Sequence, residues 1–151
     1  MSETKYFPTV EAIDKASQVL DEILEPTPFQ RNANLSDIYD AEVYLKREDL
    51  QMVRSYKIRG AYNKIRTIDP ELMKNGIVCA SAGNHAQGVA FSCSKLKIMG
   101  SIFMPVTTPR QKIEQVRMFG KAFIEIILTG DTFDAANSAA IKYAQDNNKT
   151  F

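Results

Sequence analysis

From Asn75-Gly76 onward the chain keeps one rhythm, a short apolar run followed by a longer amphipathic stretch, and that alternation restricts the fold more than any other feature. Ile77 to Ala80 is a continuous apolar run, the pattern of a strand buried on both faces. Residues 84 to 97 then put Ala86, Val89, Ala90, Cys93 and Leu96 on one face of a helix. Ile98 to Met104 is the next strand. Thr108-Pro109 begins a helix with the proline at its first helical position; Ile113, Val116 and Phe119 form its buried stripe, and Gly120 ends it. Ala122 to Leu128 reads as another buried strand. Asp131-Thr132 opens a last helix whose inner face carries Phe133, Ala136, Ala140, Tyr143 and Ala144. Strands separated by whole helices pair in parallel through right-handed crossovers, so the fold class is α/β, a three-layer open parallel-type sheet flanked by helices. Such sheets bind ligands at the carboxyl ends of their strands, which directs attention to the turn after Ala80.

The first half is less regular. Thr9 is a suitable N-cap for a helix with Ala12, Ile13, Ala16, Val19, Leu20, Ile23 and Leu24 at helical spacing, stopped by Pro26. Glu42 to Lys46 alternates apolar and charged residues as a half-exposed strand does, and a charged loop from Arg47 to Arg54 leads to a helix starting near Ser55. No role is derived for Glu48 or Asp49. With 151 residues the chain has the length of one domain, but Asn148-Lys149-Thr150-Phe151 turns into what reads as a new strand. A domain ending there would leave that strand without a partner, so a continuation is expected.

Counts exclude several classes of function. A net charge of +1 gives no electrostatic footprint for nucleic acid or an anionic membrane. No apolar run is long enough to span a bilayer, and Met1 to Pro8 lacks the pattern of a secretory signal, so a cytoplasmic protein is expected. One histidine and two cysteines cannot build a Cys₄ or Cys₂His₂ zinc site, and no metal is expected. Cys79 and Cys93 lie in apolar segments and read as reduced structural thiols.

Two segments carry chemistry. In Ser81-Ala82-Gly83-Asn84-His85, between strand and helix, Gly83 permits close backbone approach, and the free N–H groups of the helix start favour a carboxylate or phosphate. Ser81 and Asn84 either add hydrogen bonds to such an anion or simply cap the helix. His85 by itself reads as a packed or solvent-facing helix residue. In Ser55-Tyr56-Lys57-Ile58-Arg59-Gly60, Lys57 falls in the first turn of a helix, where the dipole disfavours a cation by about 0.3 to 1 kcal/mol. Burial would act in the same direction, toward a neutral amine fit for imine formation and proton abstraction. The alternative is an ordinary solvated lysine.

The strings LKREDLQMVRSYKIRGAY at 45 to 62, SAGNHAQGVAFSC at 81 to 93, IFMPVTTPRQK at 102 to 112 and GDTFDAA at 130 to 136 together resemble the biosynthetic threonine dehydratases (threonine deaminases). These are pyridoxal-phosphate enzymes of the tryptophan-synthase-β fold type. The similarity runs from Thr27 to the end. It implies that Lys57 forms the Schiff base with pyridoxal 5'-phosphate and that Asn84 hydrogen-bonds the cofactor's phenolic oxygen. It implies also that Ser81, Ala82, Gly83, Asn84 and His85 bind the substrate carboxylate. The implied reaction is dehydration and deamination of L-threonine to 2-oxobutanoate and ammonia at the first step of isoleucine biosynthesis, by a cytoplasmic homotetramer that takes L-serine, one methyl smaller, as a second substrate. By the same resemblance, residues 1–60 are the opening of a large cofactor-binding domain and residues 61–151 a small α/β domain.

Within that resemblance, Ala82 stands where serine racemases carry the serine that reprotonates Cα, and His85 stands where cysteine synthases carry threonine. Elimination is therefore expected rather than racemisation or β-replacement. Three departures stand out: Tyr56 replaces a usual phenylalanine, Lys97 replaces a helix-ending glycine, and no glycine-rich phosphate loop is present in these residues. Relatives continue for hundreds of residues with that loop, a serine opposite the pyridine nitrogen and a regulatory domain, so the 151-residue chain alone is expected to be inactive. Competing readings are a non-catalytic α/β binding fragment, a catabolic serine/threonine dehydratase, and a nucleotide-binding module, the last weakened by the absence of G-x-G-x-x-G and P-loop motifs.

Overall fold

The computed structural model describes residues 7–151. The alternation in the second half produces the expected sheet: β3 (Ile77–Ala80), β4 (Gly100–Met104) and β5 (Ile124–Leu128) are all parallel, in the order β3-β4-β5. Successive side chains of a strand point to opposite faces, and the packing follows this. Ile77, Ile102 and Met104 pack against α3 (Lys57–Thr67), α4 (Asn84–Leu96) and α5 (Arg110–Gly120), whereas Val78 and Phe103 face Ala140 and Ala144 of α6 (Phe133–Asp146). The result is the three-layer α/β arrangement.

Several boundaries differ from the sequence reading. Pro109 is the N-cap of α5, one residue outside the helix. Gly120 is the last helical residue, and it is Lys121 that takes the positive φ of 52°. A one-turn 3₁₀ helix at Lys121–Phe123 shortens β5 to Ile124–Leu128, which is only partly buried because it forms the free edge of the sheet. Phe133, expected on the inner face of α6, is 54% exposed, whereas Ala136, Ala140 and Ala144 are buried and the half-buried Tyr143 packs against Phe103 of β4. The terminal strand finds its partner at the other edge, where the Val78 N–H donates to the Thr150 carbonyl at 2.7 Å and Thr150 pairs in parallel with Ile77.

In the first half, α1 (Val10–Asp21) is capped by Thr9 as expected, but Ile13 is exposed. Only its far end packs: Val19, Leu20, Ile23 and Leu24 meet Ile58 and Tyr62 of α3 and Phe91 of α4. The expected strand at 42–46 is β2 (Tyr44–Lys46), paired antiparallel with β1 (Phe29–Arg31) across the short helix α2 (Ala33–Tyr39). The sequence reading contains neither β1 nor α2. Three residues are too few for periodicity to register, although Asn32, whose Oδ1 accepts from the Leu35 N–H at 2.9 Å, is a capping signal for α2. Among the described residues no helix is long and apolar enough to cross a membrane.

Two readings of single residues are resolved here. Both cysteines are free thiols, and burial pushes each up to about 12. Lys97, lacking the glycine's freedom, takes the left-handed conformation itself at φ 57° while its N–H donates to the Cys93 carbonyl. That conformation costs a residue with a Cβ about 1 kcal/mol. Lys97→Gly is expected to raise the unfolding free energy by a few tenths to about 1 kcal/mol, net of the greater unfolded-state entropy of glycine; a lowered melting midpoint would contradict it.

Candidate active site

The turn between β3 and α4 is built by Ser81. Its own N–H donates to the Phe103 carbonyl of β4 at 3.0 Å, and its Oγ accepts from the N–H groups of Gly83 at 3.3 Å and Ala86 at 3.2 Å. Ser81 therefore acts as the cap. Asn84 does not: the N-cap position is Gly83, with no side-chain bond, and the exposed Asn84 amide has no partner among the described residues. The N–H groups of Ala82, Asn84 and His85 are likewise without an acceptor in the chain among the described residues. Free donors at the positive end of a thirteen-residue helix make this turn fit to bind an anion. A Cβ at Gly83 would meet nothing within 4 Å, so the backbone is open to a ligand there.

α3 brings the second segment to this turn. Ile58, Ala61, Tyr62 and Ile65 take its buried face, which leaves Lys57 and Tyr56 exposed. The burial expected for Lys57 is thus not supplied by these residues, because the amphipathic spacing turns position 57 outward. The exposed Tyr56 hydroxyl needs no protein partner. The Lys57 N–H donates to the Ser55 Oγ at 3.2 Å, and its ammonium lies 5.3 Å from the Tyr56 ring centroid. Gly88 sets how closely α3 and α4 approach: a Cβ there would sit 3.2 Å from the Ile58 Cα, the Lys57 carbonyl oxygen and the Ala61 Cβ.

The two segments also meet electrostatically. His85 is exposed, and partial desolvation of its imidazole, with the Lys57 charge second, holds its pKa below the usual histidine range. His85 borders a largely apolar cavity of about 390 Å³ with Gly60, Lys64, Cys79 and Asn137. The sequence reading assigned nothing to Gly60 or Gly88. A glycine inside a helix costs about 1 kcal/mol relative to alanine, and that local penalty was the available signal for both.

An exposed amine at the head of one helix stands beside a turn of free backbone donors at the carboxyl end of a parallel strand, where open α/β sheets bind their ligands. The chain belongs to the pyridoxal-phosphate dependent enzyme family, whose model matches residues 20–151. It is 57% identical over 142 residues to the L-threonine dehydratase biosynthetic IlvA of Bacillus subtilis (strain 168), covering 94% of this chain and 34% of that protein. It is 55% identical over 139 residues to the protein of the same name from Staphylococcus saprophyticus, covering 92% and 33%. The processed form of threonine deaminase isoform 2 from Solanum lycopersicum superposes with a TM-score of 0.80 at 36% identity, over 91% of this chain and 41% of that one. Maize serine racemase gives 0.87 at 25% identity, over 96% and 43%. The chain spans about a third of the length of the curated relatives it matches.

Proposed function

We propose that the protein dehydrates and deaminates L-threonine, with L-serine as a second substrate, to the 2-oxo acid and ammonia, and does so in isoleucine biosynthesis as a cytoplasmic homotetramer. The observation that carries this reading is the approach of Lys57 to the 81–85 turn across the Gly88 contact. Residues 1–60 belong in this reading to a large domain and 61–151 to a small one, with α3 running unbroken across the division.

The residues present fit pyridoxal phosphate: an exposed amine at Lys57, an unpaired amide at Asn84, and open space where side chains of Gly60 and Gly83 would stand. Lys57 and Asn84 would hold it, Asn84 through a hydrogen bond to the phenolic oxygen. Once bound, the cofactor supplies an electron sink for charge developing at the substrate Cα. The chain's own residues do the rest. The N–H groups of Ala82, Asn84 and His85 grip the substrate carboxylate, aided by the Ser81 cap that keeps the turn in shape. Lys57 Nζ takes the Cα proton as general base. Partial desolvation and the Lys57 charge both disfavour a second cation on His85 beside that amine. The Cα proton and the β-hydroxyl are lost overall as one water, and the resulting enamine tautomerises to its imine, which takes up water to yield the oxo acid and ammonia.

Borohydride reduction in the presence of pyridoxal phosphate, followed by peptide mass analysis, tests the reading. A pyridoxyl adduct on Lys57 is expected, and an adduct on another lysine alone refutes it. Ala82 has no proton to deliver to the opposite face of Cα. With L-serine the enzyme is therefore expected to release oxo acid far faster than D-serine, as chiral chromatography of the products would show; the reverse ratio contradicts the assignment.

A further inference from the structure

Glu48 has no part in the chemistry above, yet it is the centre of a partly buried polar network. Its two carboxylate oxygens accept from Arg59 Nη2 and Nε, both at 2.8 Å, and the Thr27 hydroxyl donates to the same carboxylate at 2.6 Å. Lys46 Nζ in turn donates to the Thr27 carbonyl at 2.7 Å. The Glu48 side chain is 17% exposed and that of Arg59 32%, less than in any other ion pair among the described residues. Paired forks with little solvent around them are the ion pairs with most geometric authority. Arg59 beside it holds the Glu48 carboxyl below the usual carboxylate range, so the pair is ionised at neutral pH.

The location gives this network its meaning. Arg59 lies two residues after Lys57, in the same first turn of α3. Its N-cap, Tyr56, makes no side-chain bond; the Ser55 Oγ that accepts the Lys57 N–H and the buried Ile58 hold one side of the turn. The Gly88 contact holds α3 against α4 but cannot by itself stop the first turn from rotating or fraying. The fork fixes it from the other side, tying it to the end of β2 and to the segment leading into β1.

We propose that Glu48 and Arg59 are positioning residues whose bidentate pair, completed by Thr27, locks the first turn of α3 to the β1–β2 ribbon and so holds the Lys57 amine at one place against the 81–85 turn. This rests on Lys57 being the cofactor lysine. The role is geometric, so charge without the fork does not suffice. Glu48→Gln and Arg59→Lys both release the turn, and kcat falls while KM, set by the 81–85 donors, stays nearly constant.

The test is amide hydrogen exchange in the wild type, Glu48→Gln, Arg59→Lys and the surface control Asp49→Asn, together with kcat and KM of the holoenzyme. Exchange over residues 55–62 is expected to quicken about tenfold or more in the first two variants, with β3 to β5 unchanged and the control like wild type. A fall of about 10- to 100-fold in kcat should accompany it. Unchanged exchange at 55–62 overturns the proposal, and so does an increase spread over the whole sheet, which would mark a merely structural pair. Borohydride trapping of the wild type separates the two levels. An adduct away from Lys57 removes the functional reading and with it the catalytic meaning of the clamp, whereas an adduct on Lys57 with unchanged exchange removes the clamp alone.

Discussion

Threonine turnover by the enzyme is expected to fall by about 10³-fold or more in Lys57→Ala, with loss of the trapped adduct at position 57, because in the proposed function one amine both carries the cofactor and moves the Cα proton. Among the described residues no other group is placed to replace it. His85 is the base in the 81–85 turn, but it sits on α4 beside the donors proposed to grip the carboxylate, on the element opposite α3. Lys64, the next lysine along α3, lines the cavity two turns away. The exposure of Lys57 and the absence of core packing by its side chain predict that stability is nearly unaffected, within about 0.5 kcal/mol. A melting midpoint close to wild type with turnover abolished is therefore the expected pair of results. Retention of a tenth or more of the activity would show that the proton is taken elsewhere.

Gly88→Val is expected to produce the second large effect, and by a different route. The Cβ alone would lie 3.2 Å from two backbone atoms of α3, the Ile58 Cα and the Lys57 carbonyl oxygen, and the added methyls need still more room. Backbone cannot yield as a side-chain tip does, so α3 must move as a body. Overpacking of this kind costs about 1 to 3 kcal/mol, and a shift of about 1 Å between Lys57 and the 81–85 turn costs about 10²-fold in kcat. Calorimetry and steady-state kinetics read the two terms separately. The contrast is Gly60→Ala in the same helix pair: its Cβ meets nothing within 4 Å, so melting should rise by the equivalent of about 0.5 to 1 kcal/mol. A Gly88→Val protein as stable and active as wild type would show that the close approach of α3 to α4 does not place Lys57.

Where local rules speak loudly, the sequence and the structure coincide. β3 at Ile77–Ala80, the Thr9 and Thr132 caps and the free thiols follow from patterns within a few residues of one another. The weaker local signals shift: Gly120 stays inside its helix, Phe133 faces solvent, the strand expected at 42–46 shortens to Tyr44–Lys46, and neither β1 nor α2 is legible. Half of the candidate site was legible in the same way. An anion-binding helix start after a buried strand can be inferred from Ser81 to His85 alone, whereas the division of labour between Ser81, which caps, and Asn84, which stays free, could not.

The sequence by itself determined the α/β class, the order of the elements from β3 onward and the turn after β3 with its free helix-start donors, and its resemblance to threonine dehydratases singles out Lys57 for the proposed function. Only the tertiary structure decided how Lys57 is held: a glycine on α4 that lets two helices touch, and a Glu48–Arg59 fork eleven residues apart that ties the helix start to the ribbon. Hydrophobic periodicity and capping act between neighbours in the chain and can be read along it. A close approach of two backbones, or a bidentate pair between the segment after β2 and a helix start, is a distance in space, and it exists only once the chain has folded.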